Sequence, residues 1–437
     1  MIEKHKLPNM KKLYYRPQKI SSASLLFLAA LSITVVIALR NMPSRWTKLE
    51  SLAGKAMQVP DLEDRMLTAS ERAEDAFDAI HCQRVVLGHA MLDIHDPADT
   101  GMVGPSMSMV TSLPGHLEAK LTSVNPNFAA VAMRLLIDAG VRPGDRIAIG
   151  CTGSFPALNI AVYCAAEAMD LRPVIISSAA SSQFGANSPD MMWPDMEKLL
   201  YEQGIINHRS EMVSRGGFED RAAGMSDDTR KILEASIERS GLPLMDSESD
   251  DDAIERRMMV YSQAVEDEMF AAYINVGGGD ASVGGTEGND ALGEGVIHPM
   301  SSFHPRNLLG LNPIAAATSS TTAATKSGAS DPADAGKAND CVATRFLASG
   351  VPVINMINAV KLANQYGLPV ASTEIIRPGE GGVYVIADMR RPLAVAGIVF
   401  IMLSTLLVVR PPARLVDAGK KRGWFGDDAK SQPQLMV

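Results

Sequence analysis

Cysteine is scarce in this chain of 437 residues, which contains only Cys82, Cys151, Cys164 and Cys341. No two of them stand in a C-x-x-C spacing, so the sequence offers no zinc-ribbon or dithiol redox motif. The four thiols could pair in an oxidising compartment, and their spacing selects no particular pairing. Internal repeats are also absent from the sequence. The function therefore has to be sought in loops and in the distribution of charge.

Basic residues are scarce in the long central part of the chain. Residues 1–40 carry 7 basic and 1 acidic side chains, residues 41–390 carry 27 and 46, and residues 391–437 carry 7 and 3. The net charges are +6, −19 and +4, which together give the −9 of the whole chain. So acidic a region repels a polyanion. This argues against nucleic acid and against an open polymer groove, and favours a confined pocket with a local basic group. Candidates for that group are Lys120, Arg134, Arg209 and Arg215.

Two apolar runs flank the acidic region. Residues 20–39 are apolar apart from a few Ser and Thr, and residues 393–409 contain only Ser404 and Thr405 as polar residues. A membrane span needs about 20 such residues, with about 17 at the short end. Basic flanks stay in the cytoplasm, so tails 1–19 and 410–437 are expected inside and the region between the spans outside. We expect two transmembrane helices in the inner (cytoplasmic) membrane; the alternatives are a cleaved signal peptide for the first run and a buried core helix for the second.

The central region is predicted to be a parallel α/β domain of Rossmann-like type. Residues 41–92 have helical periodicity and form either a stalk or a helix packed on the main domain. Residues 93–127 are irregular, and residues 128–139 form a helix. A strand at 146–150, a helix at 157–169 and a strand at 173–176 then make a βαβ unit, which implies a parallel sheet with a right-handed crossover.

Further elements complete the domain, which we assign to residues 93–390. Helices are predicted at 193–203, 227–239, 253–265, 342–348 and 357–366, and strands at 272–276 and 351–356. Residues 283–339 are expected to be a low-complexity insert, because Gly, Ser, Thr, Ala and Asp dominate its composition.

Three loops that follow strands are candidate ligand loops. The first, residues 150–156 (GCTGSFP), opens a helix, where backbone N–H groups and the helix dipole favour an anion. Ser154 would cap that helix, and the alternative is a capped helix without a ligand. The second is residues 275–279 (NVGGG), or else a hinge, and the third is the polar loop 177–187. Parallel strands bring their carboxyl ends to one edge, so we expect one crevice.

Catalysis is a separate hypothesis. Ser154 would be the nucleophile, His208 the base and Asp195 or Glu197 the orienting acid. The loop is not a Gly-x-Ser-x-Gly elbow, because Pro156 stands in place of the second glycine. Metal-like side chains at His89, Asp93, His95 and Asp96 lack a fixed spacing, so we predict no metal site. The sequence leaves open whether the protein is an enzyme and identifies no cofactor.

Several of these stretches, taken in order, resemble the poly-γ-glutamate system protein family. They cover about residues 104–370 and are 117–120 (LEAK), 122–123 (TS), 125–128 (NPNF), 153–159 (GSFPALN), 174–178 (VIISS), 185–187 (GAN), 195–197 (DME), 208–210 (HRS), 274–279 (INVGGG), 281–282 (AS) and 350–354 (GVPVI). This sequence departs from the pattern at Leu121, where a basic residue is expected, and at the insert.

The resemblance implies a bacterial envelope protein that works with the machinery making or exporting poly-γ-glutamate. Its expected partners are the polymer, a glutamyl-type anion or the membrane subunits of the synthase. Two alternatives stay open: an envelope hydrolase or transferase of γ-glutamyl amides that uses Ser154, and a sensor of small anions. The expected ligand-binding residues are Lys120, Asn125, Gly153, Ser154, Asn159, Ser178, Asn187, Arg209, Asn275, Gly277, Gly278, Gly279 and Ser282.

Overall fold

The computed structural model describes residues 26, 29–33, 61–89, 95–265, 268–299, 340–384 and 390–409. The chain divides into two compact units, one formed by Met1–Leu52 with Ala387–Val437 and the other by Ala53–Ile386. The second unit contains the α/β domain and every candidate site residue. Helix bounds in that unit and in the C-terminal segment are α1 Leu62–Val86, α2 Leu117–Ser123, α3 Phe128–Ala139, α4 Pro156–Ala168, α5 Trp193–Glu202, α6 Asp227–Ser240, α7 Asp250–Ala264, α8 Asp280–Val283, α9 Gly285–Leu292, α10 Val342–Ala348, α11 Ala359–Tyr366 and α12 Arg390–Val409.

A seven-stranded sheet forms the centre of the domain. Its strands are β1 Arg146–Cys151, β2 Arg172–Ser178, β5 Met212–Ser214, β6 Leu244–Met245, β7 Ala272–Val276, β8 Gly295–Ile297 and β9 Val353–Met356, while β3 Asn187–Ser188 and β4 Met191–Met192 form a separate hairpin. The order is β6-β5-β2-β1-β7-β9-β8, and only the edge strand β8 runs antiparallel to its neighbour. The predicted parallel α/β architecture is confirmed.

The strand order reverses between β1 and β7. From β1 the chain moves outward through β2, β5 and β6, and it then returns to the other side of β1 with β7 and β9. Ligands of open parallel sheets bind at such a reversal, outside the carboxyl ends of the strands. The fold therefore directs attention to the segments that follow β1, β2 and β7.

Both faces of the sheet are buried, as expected for a mainly parallel sheet. Side chains alternate between the faces: Ile147 and Ile149 of β1 pack in one apolar cluster, and Ala148 packs in the other. Strand β7 divides in the same way, with Ile274 in the first cluster and Tyr273 in the second. This double burial is why the strands consist of short continuous apolar runs in the sequence.

Helix α1 belongs to the main domain and is not a stalk. Met66, Ala73 and Ile80 are fully buried in the same cluster as β1, at seven-residue steps along one face of the helix. Arg72 on its other side pairs with Glu167 at the end of α4. The alternative of a helix packed on the domain is therefore what the structure shows.

The predicted membrane topology needs correction. Most of residues 20–39 lies outside the described residues, and α12 covers the second apolar run. Within the described part of the chain, no helix is both long enough and apolar enough to span a bilayer. Helix α12 begins with two arginines and a proline, and the 17 residues that follow, Ser404 and Thr405 among them, are at the short end of the length that a span needs. The prediction of two flanking transmembrane helices, and the inner-membrane location with cytoplasmic tails derived from it, is wrong.

The predicted insert is partly ordered. Its first part forms α9 and β8, and β8 pairs with β9 as the antiparallel edge strand of the sheet. Residues 300–339 lie outside the described residues. All four cysteines are free thiols. Three of them are buried, Cys82 alone being exposed, so pairing plays no part in the structure.

Candidate site at the carboxyl edge of the sheet

The loops after β1, β2 and β7 touch one another. A Cβ placed on Gly277 would lie 2.2 Å from Thr152 Oγ1, which puts the β7 loop against the β1 loop. A Cβ on Gly153 would lie 2.9 Å from the carbonyl oxygens of Ala179 and Ala180, which puts the β1 loop against the β2 loop. We call the surroundings of these loops, residues 152–155, 179–187 and 277–279, the carboxyl-edge site.

The glycines have a different role from the one expected. We expected Gly153 to let a ligand approach the backbone, but the structure shows that it lets the β2 loop approach. The amide of Ala186 donates to the carbonyl of Gly153 over 2.9 Å, so the two loops are hydrogen-bonded there. Gly277 has φ +90°, in a region that favours glycine, and lies beside Thr152. Gly278 is the exposed member of the triplet.

Ser154 does not cap α4. The residue before the helix is Phe155, and no side chain accepts a hydrogen bond at this end. Ser154 Oγ instead accepts the backbone N–H of Ser182 over 3.1 Å, which fixes the β2 loop to the β1 loop. The first turn of a helix has N–H groups without intrahelical partners, and here no side chain satisfies them. The start of α4 is thus left as a positive end beside the two loops.

Lys120 lies under these loops and is the central basic group of the site. It is 3% exposed, and its Nζ donates to the carbonyl of Ser154 and, over 2.9 Å, to Ser182 Oγ. The ammonium lies 3.9 Å from the centre of the Phe155 ring. No carboxylate pairs with Lys120 among the residues that the structure describes. Burial lowers the pKa of Lys120 to about 7.

An acidic group lies near the β7 loop, formed by Asp280 after β7, Glu219 and Asp220 after β5, and Asp250 at the start of α7. Asp280 accepts the backbone N–H of Glu219 over 2.8 Å, and Asp220 pairs with buried Arg257 over 2.6 Å. Burial, together with the charges of Asp280 and Asp220, raises the pKa of Asp250 to about 6. An anion is repelled next to these carboxylates. The surroundings of Lys120 are the favourable position for a carboxylate.

The proposed serine–histidine–aspartate set does not assemble. Helix α4 runs from the carboxyl edge of the sheet to the opposite edge, where it ends near Glu167. Residue 207 donates its backbone N–H to Glu167 over 2.6 Å, which places the adjacent His208 at that opposite edge. Burial lowers the pKa of His208, and the charge of Glu167 partly opposes this. His208 therefore cannot act as the base for Ser154, because the two residues lie at opposite edges of the sheet.

The two acids proposed for that set have structural partners. Asp195 accepts the backbone N–H of Met192 over 3.1 Å and pairs with Arg239 over 2.8 Å. Glu197 is fully buried and accepts hydrogen bonds from Tyr163 over 2.6 Å and from the Ser210 hydroxyl over 2.7 Å. Both acids hold α5 in place.

Two arginines that were candidates for the basic group are also engaged elsewhere. Arg209 donates to the carbonyl of Ser240 over 2.8 Å, and its Nε lies 4.0 Å from Glu197. Arg215 pairs with Glu234 over 2.6 Å and with Asp246. The prediction that Arg209 binds ligand at this site is therefore not supported by its position.

The candidate asparagines are buried and hold the loops in place. Asn159 donates to the carbonyl of Thr152 over 2.9 Å, at the start of the β1 loop. Asn275 donates to the carbonyl of Gly277 over 2.6 Å and thereby shapes the β7 loop. Asn187 donates to the carbonyl of Pro105 over 2.9 Å and ties the β2 loop to the irregular segment before α2. Asn125 bonds within its own turn, to Asn127.

Two candidate serines, Ser178 and Ser282, are buried next to the strand ends and pack against neighbouring segments. A Cβ on Gly216 would lie 2.8 Å from the Cβ of Ser178, so Ser178 contacts the loop after β5. A Cβ on Gly150 would lie 3.3 Å from Ser282 Oγ, which places Ser282 next to the end of β1. Both are buried, and neither faces the Lys120 side of the site directly.

The metal-like side chains before α2 do not form a cluster. His89 pairs with Asp190 over 2.9 Å, and Asp96 accepts the Thr100 hydroxyl over 2.9 Å. His95 packs edge-on against the ring of Phe184, and Asp93 lies outside the described residues. Across the described ranges, no group of three or more His, Cys, Asp or Glu side chains could hold a metal ion.

A separate groove lies between α1, the end of α2 and residues 372–376. It has apolar side chains such as Phe77 and Ile375 and acidic walls formed by Glu74, Asp78, Asp96, Asp99 and Glu374. Burial and like charges raise the pKa of Glu74. No basic residue lines this groove, so it is unsuited to a glutamyl ligand.

Sequence reasoning did not single out Ser182. It counted Ser182 only as one of several polar residues in the β2 loop, whereas the structure makes it the residue that contacts both Lys120 and Ser154. The contact joins α2 to a loop 62 residues away, and no local spacing signals it.

No family model, curated protein or solved structure matches this chain.

Proposed function

We propose that the protein is a component of a poly-γ-glutamate system and binds a glutamyl carboxylate at the carboxyl-edge site. The observation that supports this most is Lys120, a buried amine with no carboxylate partner among the described residues, located beside the uncapped start of α4. The pathway comes from the resemblance of the sequence motifs. The site comes from the position of Lys120.

Lys120 makes an anionic ligand energetically favourable here. A buried charge without a partner costs free energy, which is why burial shifts the lysine towards its neutral form. A ligand carboxylate at the start of α4 would be held by backbone N–H groups and would have the ammonium as its neighbour. Charge-assisted hydrogen bonds of this kind contribute roughly 1.5–3 kcal/mol each.

The charge distribution limits how much polymer the site takes. The region 41–390 carries −19, and Asp280, Glu219, Asp220 and Asp250 form an acidic group near the β7 loop. A long polyanion laid across this surface would be repelled. We therefore propose that one or a few glutamyl units enter on the β2 side, as a free end or a short loop of the polymer. Contact with the synthase membrane subunits remains the alternative role within the same pathway.

A sensor of small anions is the second candidate function. It is favoured by the location of the site at the strand-order reversal, where doubly wound domains bind small ligands. A sensor would bind free glutamate as tightly as an oligomer. A polymer-binding protein would prefer a γ-linked oligomer, because adjacent units add contacts.

Binding of defined ligands tests the proposal. Isothermal titration of the full chain with a γ-linked glutamate tetramer should give saturable binding, weakened at least tenfold by Lys120→Met. The matched control is Lys231→Met, because Lys231 is 74% exposed and pairs only with the exposed carboxylate of Asp228. Equal affinity of wild type and Lys120→Met would contradict the site. Normal polymer yield from a strain lacking the gene would contradict the pathway.

A further inference from the structure

Ser182 and Lys120 form a hydroxyl–amine pair at the carboxyl-edge site. Lys120 Nζ lies 2.9 Å from Ser182 Oγ, and the backbone N–H of Ser182 is held by Ser154 Oγ over 3.1 Å. The lysine is nearly fully buried, whereas Ser182 is a partly exposed residue. The serine is thus held in position at the partly exposed end of the pair.

A serine hydroxyl becomes a nucleophile when a neighbouring base removes its proton. Lysine can act as that base only as the neutral amine, and Ser–Lys pairs occur among amide-cleaving enzymes. Lys120 meets the requirement for a physical reason: it is buried and has no carboxylate partner among the described residues to stabilise its ammonium form. The resulting pKa of about 7 leaves a substantial amine fraction at neutral pH.

We infer that Ser182 is the nucleophile and Lys120 its general base in the cleavage of a γ-glutamyl amide bound at the carboxyl-edge site. The substrate class rests on the function proposed above. The catalytic pair rests on the 2.9 Å contact, the burial of Lys120 and the partial exposure of the Ser182 residue.

The chemistry balances without a cofactor. Lys120 takes the proton of Ser182 Oγ as the oxygen bonds to the amide carbonyl carbon. The C–N bond then breaks, and the ammonium of Lys120 returns the proton to the leaving amine. Water next attacks the acyl ester on Ser182 and gives one proton to Lys120, which passes it to the departing Ser182 oxygen. The net reaction converts one amide and one water into a carboxylic acid and an amine.

The surroundings suit the charge that develops in this reaction. Negative charge builds on the carbonyl oxygen in the tetrahedral intermediate, and the positive end of α4 lies in the same loop that contacts Ser182. Asp280, in the acidic group, follows β7 and not β2. The positive end of α4 and the Ser182 hydroxyl therefore belong to the same pair of contacting loops.

Two measurements on the full chain test the inference. Mass spectrometry should show release of glutamate or shorter chains from a γ-linked glutamate tetramer, and a fluorophosphonate probe should add its mass to Ser182. Ser182→Ala should abolish labelling and reduce cleavage at least a thousandfold, as should Lys120→Met. The controls are Ser262→Ala, whose hydroxyl bonds only to the carbonyl of Met259 on α7, and Lys231→Met. Both should behave like wild type.

The pH profile separates a base from a structural lysine. The value of kcat/KM reports the free enzyme, so it should rise with pH and level off above about 7, as Lys120 loses its proton. A profile flat between pH 5 and 9 would contradict a role as base.

Failure of the inference differs from failure of the proposed function. Ser182→Ala should still bind the tetramer while leaving it intact. If wild type binds the tetramer but neither cleaves it nor takes up the probe at Ser182, the inference is wrong and the binding function stands. If neither protein binds the tetramer, the proposed function is wrong as well.

Discussion

The amine of Lys120 lies 2.9 Å from the hydroxyl of Ser182, although the two residues are 62 positions apart in the chain. Helix α2 supplies the lysine and the loop after β2 supplies the serine. The same amine donates to the carbonyl of Ser154, so one buried group joins the loops that follow two neighbouring strands. Its charge state therefore affects both the stability of the site and its chemistry.

Replacing Lys120 by methionine should stabilise the protein at neutral pH. The pKa is 10.5 for an ordinary lysine and about 7 here, which corresponds to a cost of at most roughly 5 kcal/mol for burying the ammonium. The variant also loses the two hydrogen bonds of Lys120, which lowers the gain by roughly 1 kcal/mol each. We therefore expect the free energy of unfolding to increase by about 1–3 kcal/mol, measured by urea denaturation at pH 7.

The gain should depend on pH in one direction. Between pH 7 and 10.5 the unfolded lysine is protonated and the folded lysine is neutral, so the stability of wild type rises with pH across this window. The advantage of Lys120→Met should shrink over the same window and stay constant below pH 7. A methionine variant that is less stable than wild type at every pH would contradict the burial of an uncompensated amine.

Gly277→Ala should destabilise the domain strongly. The new Cβ would lie 2.2 Å from Thr152 Oγ1, and the backbone at φ +90° disfavours any side chain. We expect a loss of about 2–4 kcal/mol by thermal or urea unfolding. Gly204→Ala is the matched control: its φ is +71° and no atom lies within 4 Å of its Cβ, so only about 1 kcal/mol should be lost. Equal losses would mean that contact between the β1 and β7 loops is unimportant.

Ser154→Ala should have a mild effect. Ser154 Oγ accepts the backbone N–H of Ser182, and the structure gives it no histidine or carboxylate partner. The change should cost about 1 kcal/mol of stability and leave binding of the glutamate tetramer within severalfold of wild type. A loss of turnover by several orders of magnitude, with binding intact, would restore Ser154 as the nucleophile.

Removing either partner of the ion pair between Asp220 and Arg257 should destabilise the folded protein. Both side chains are nearly fully buried, and the pair also bonds to Ser214. Asp220→Ala or Arg257→Met alone should lose about 3–5 kcal/mol, because each leaves a buried charge without its partner. The double variant should lose clearly less than the sum of the two. Additive losses in such a double-mutant cycle would show that the pair is uncoupled.

The sequence predicted the fold well where burial leaves a periodic signal. Strands β1 and β2 are short apolar runs because both faces of the sheet are covered, and α4 is apolar on nearly every face because it packs between the sheet and α1. The reading of a βαβ unit at residues 146–178 therefore matches the structure closely. It also located the ends of β1, β2 and β7, where the loops do meet.

Apolar composition alone gave the wrong membrane topology. The run 393–409 is at the short end of the spanning range, and two arginines and a proline begin α12 ahead of it. The helix at residues 62–86 was ambiguous for a related reason: periodicity shows an apolar face and does not show which surface covers it.

The site residues that depend on long-range packing could not be read from the sequence. His208 was proposed as the base for Ser154 but lies at the other edge of the sheet, because α4 runs between the two edges. Lys120 was chosen for its charge, and its partner Ser182 was not identified, because the contact depends on how α2 packs beneath the β2 loop. Parallel strands predict that loops converge and do not predict which side chains within them touch.

The most direct test of the account is the pKa of Lys120 in the free and ligand-bound protein. The ¹³Cε resonance of Lys120, assigned by its loss in Lys120→Met, can be followed against pH by NMR with and without the γ-linked glutamate tetramer. The account predicts a midpoint near pH 7 in the free protein and a higher one when a carboxylate is bound beside the amine. A midpoint near 10.5 in the free protein, or one that saturating tetramer leaves unchanged, would contradict it.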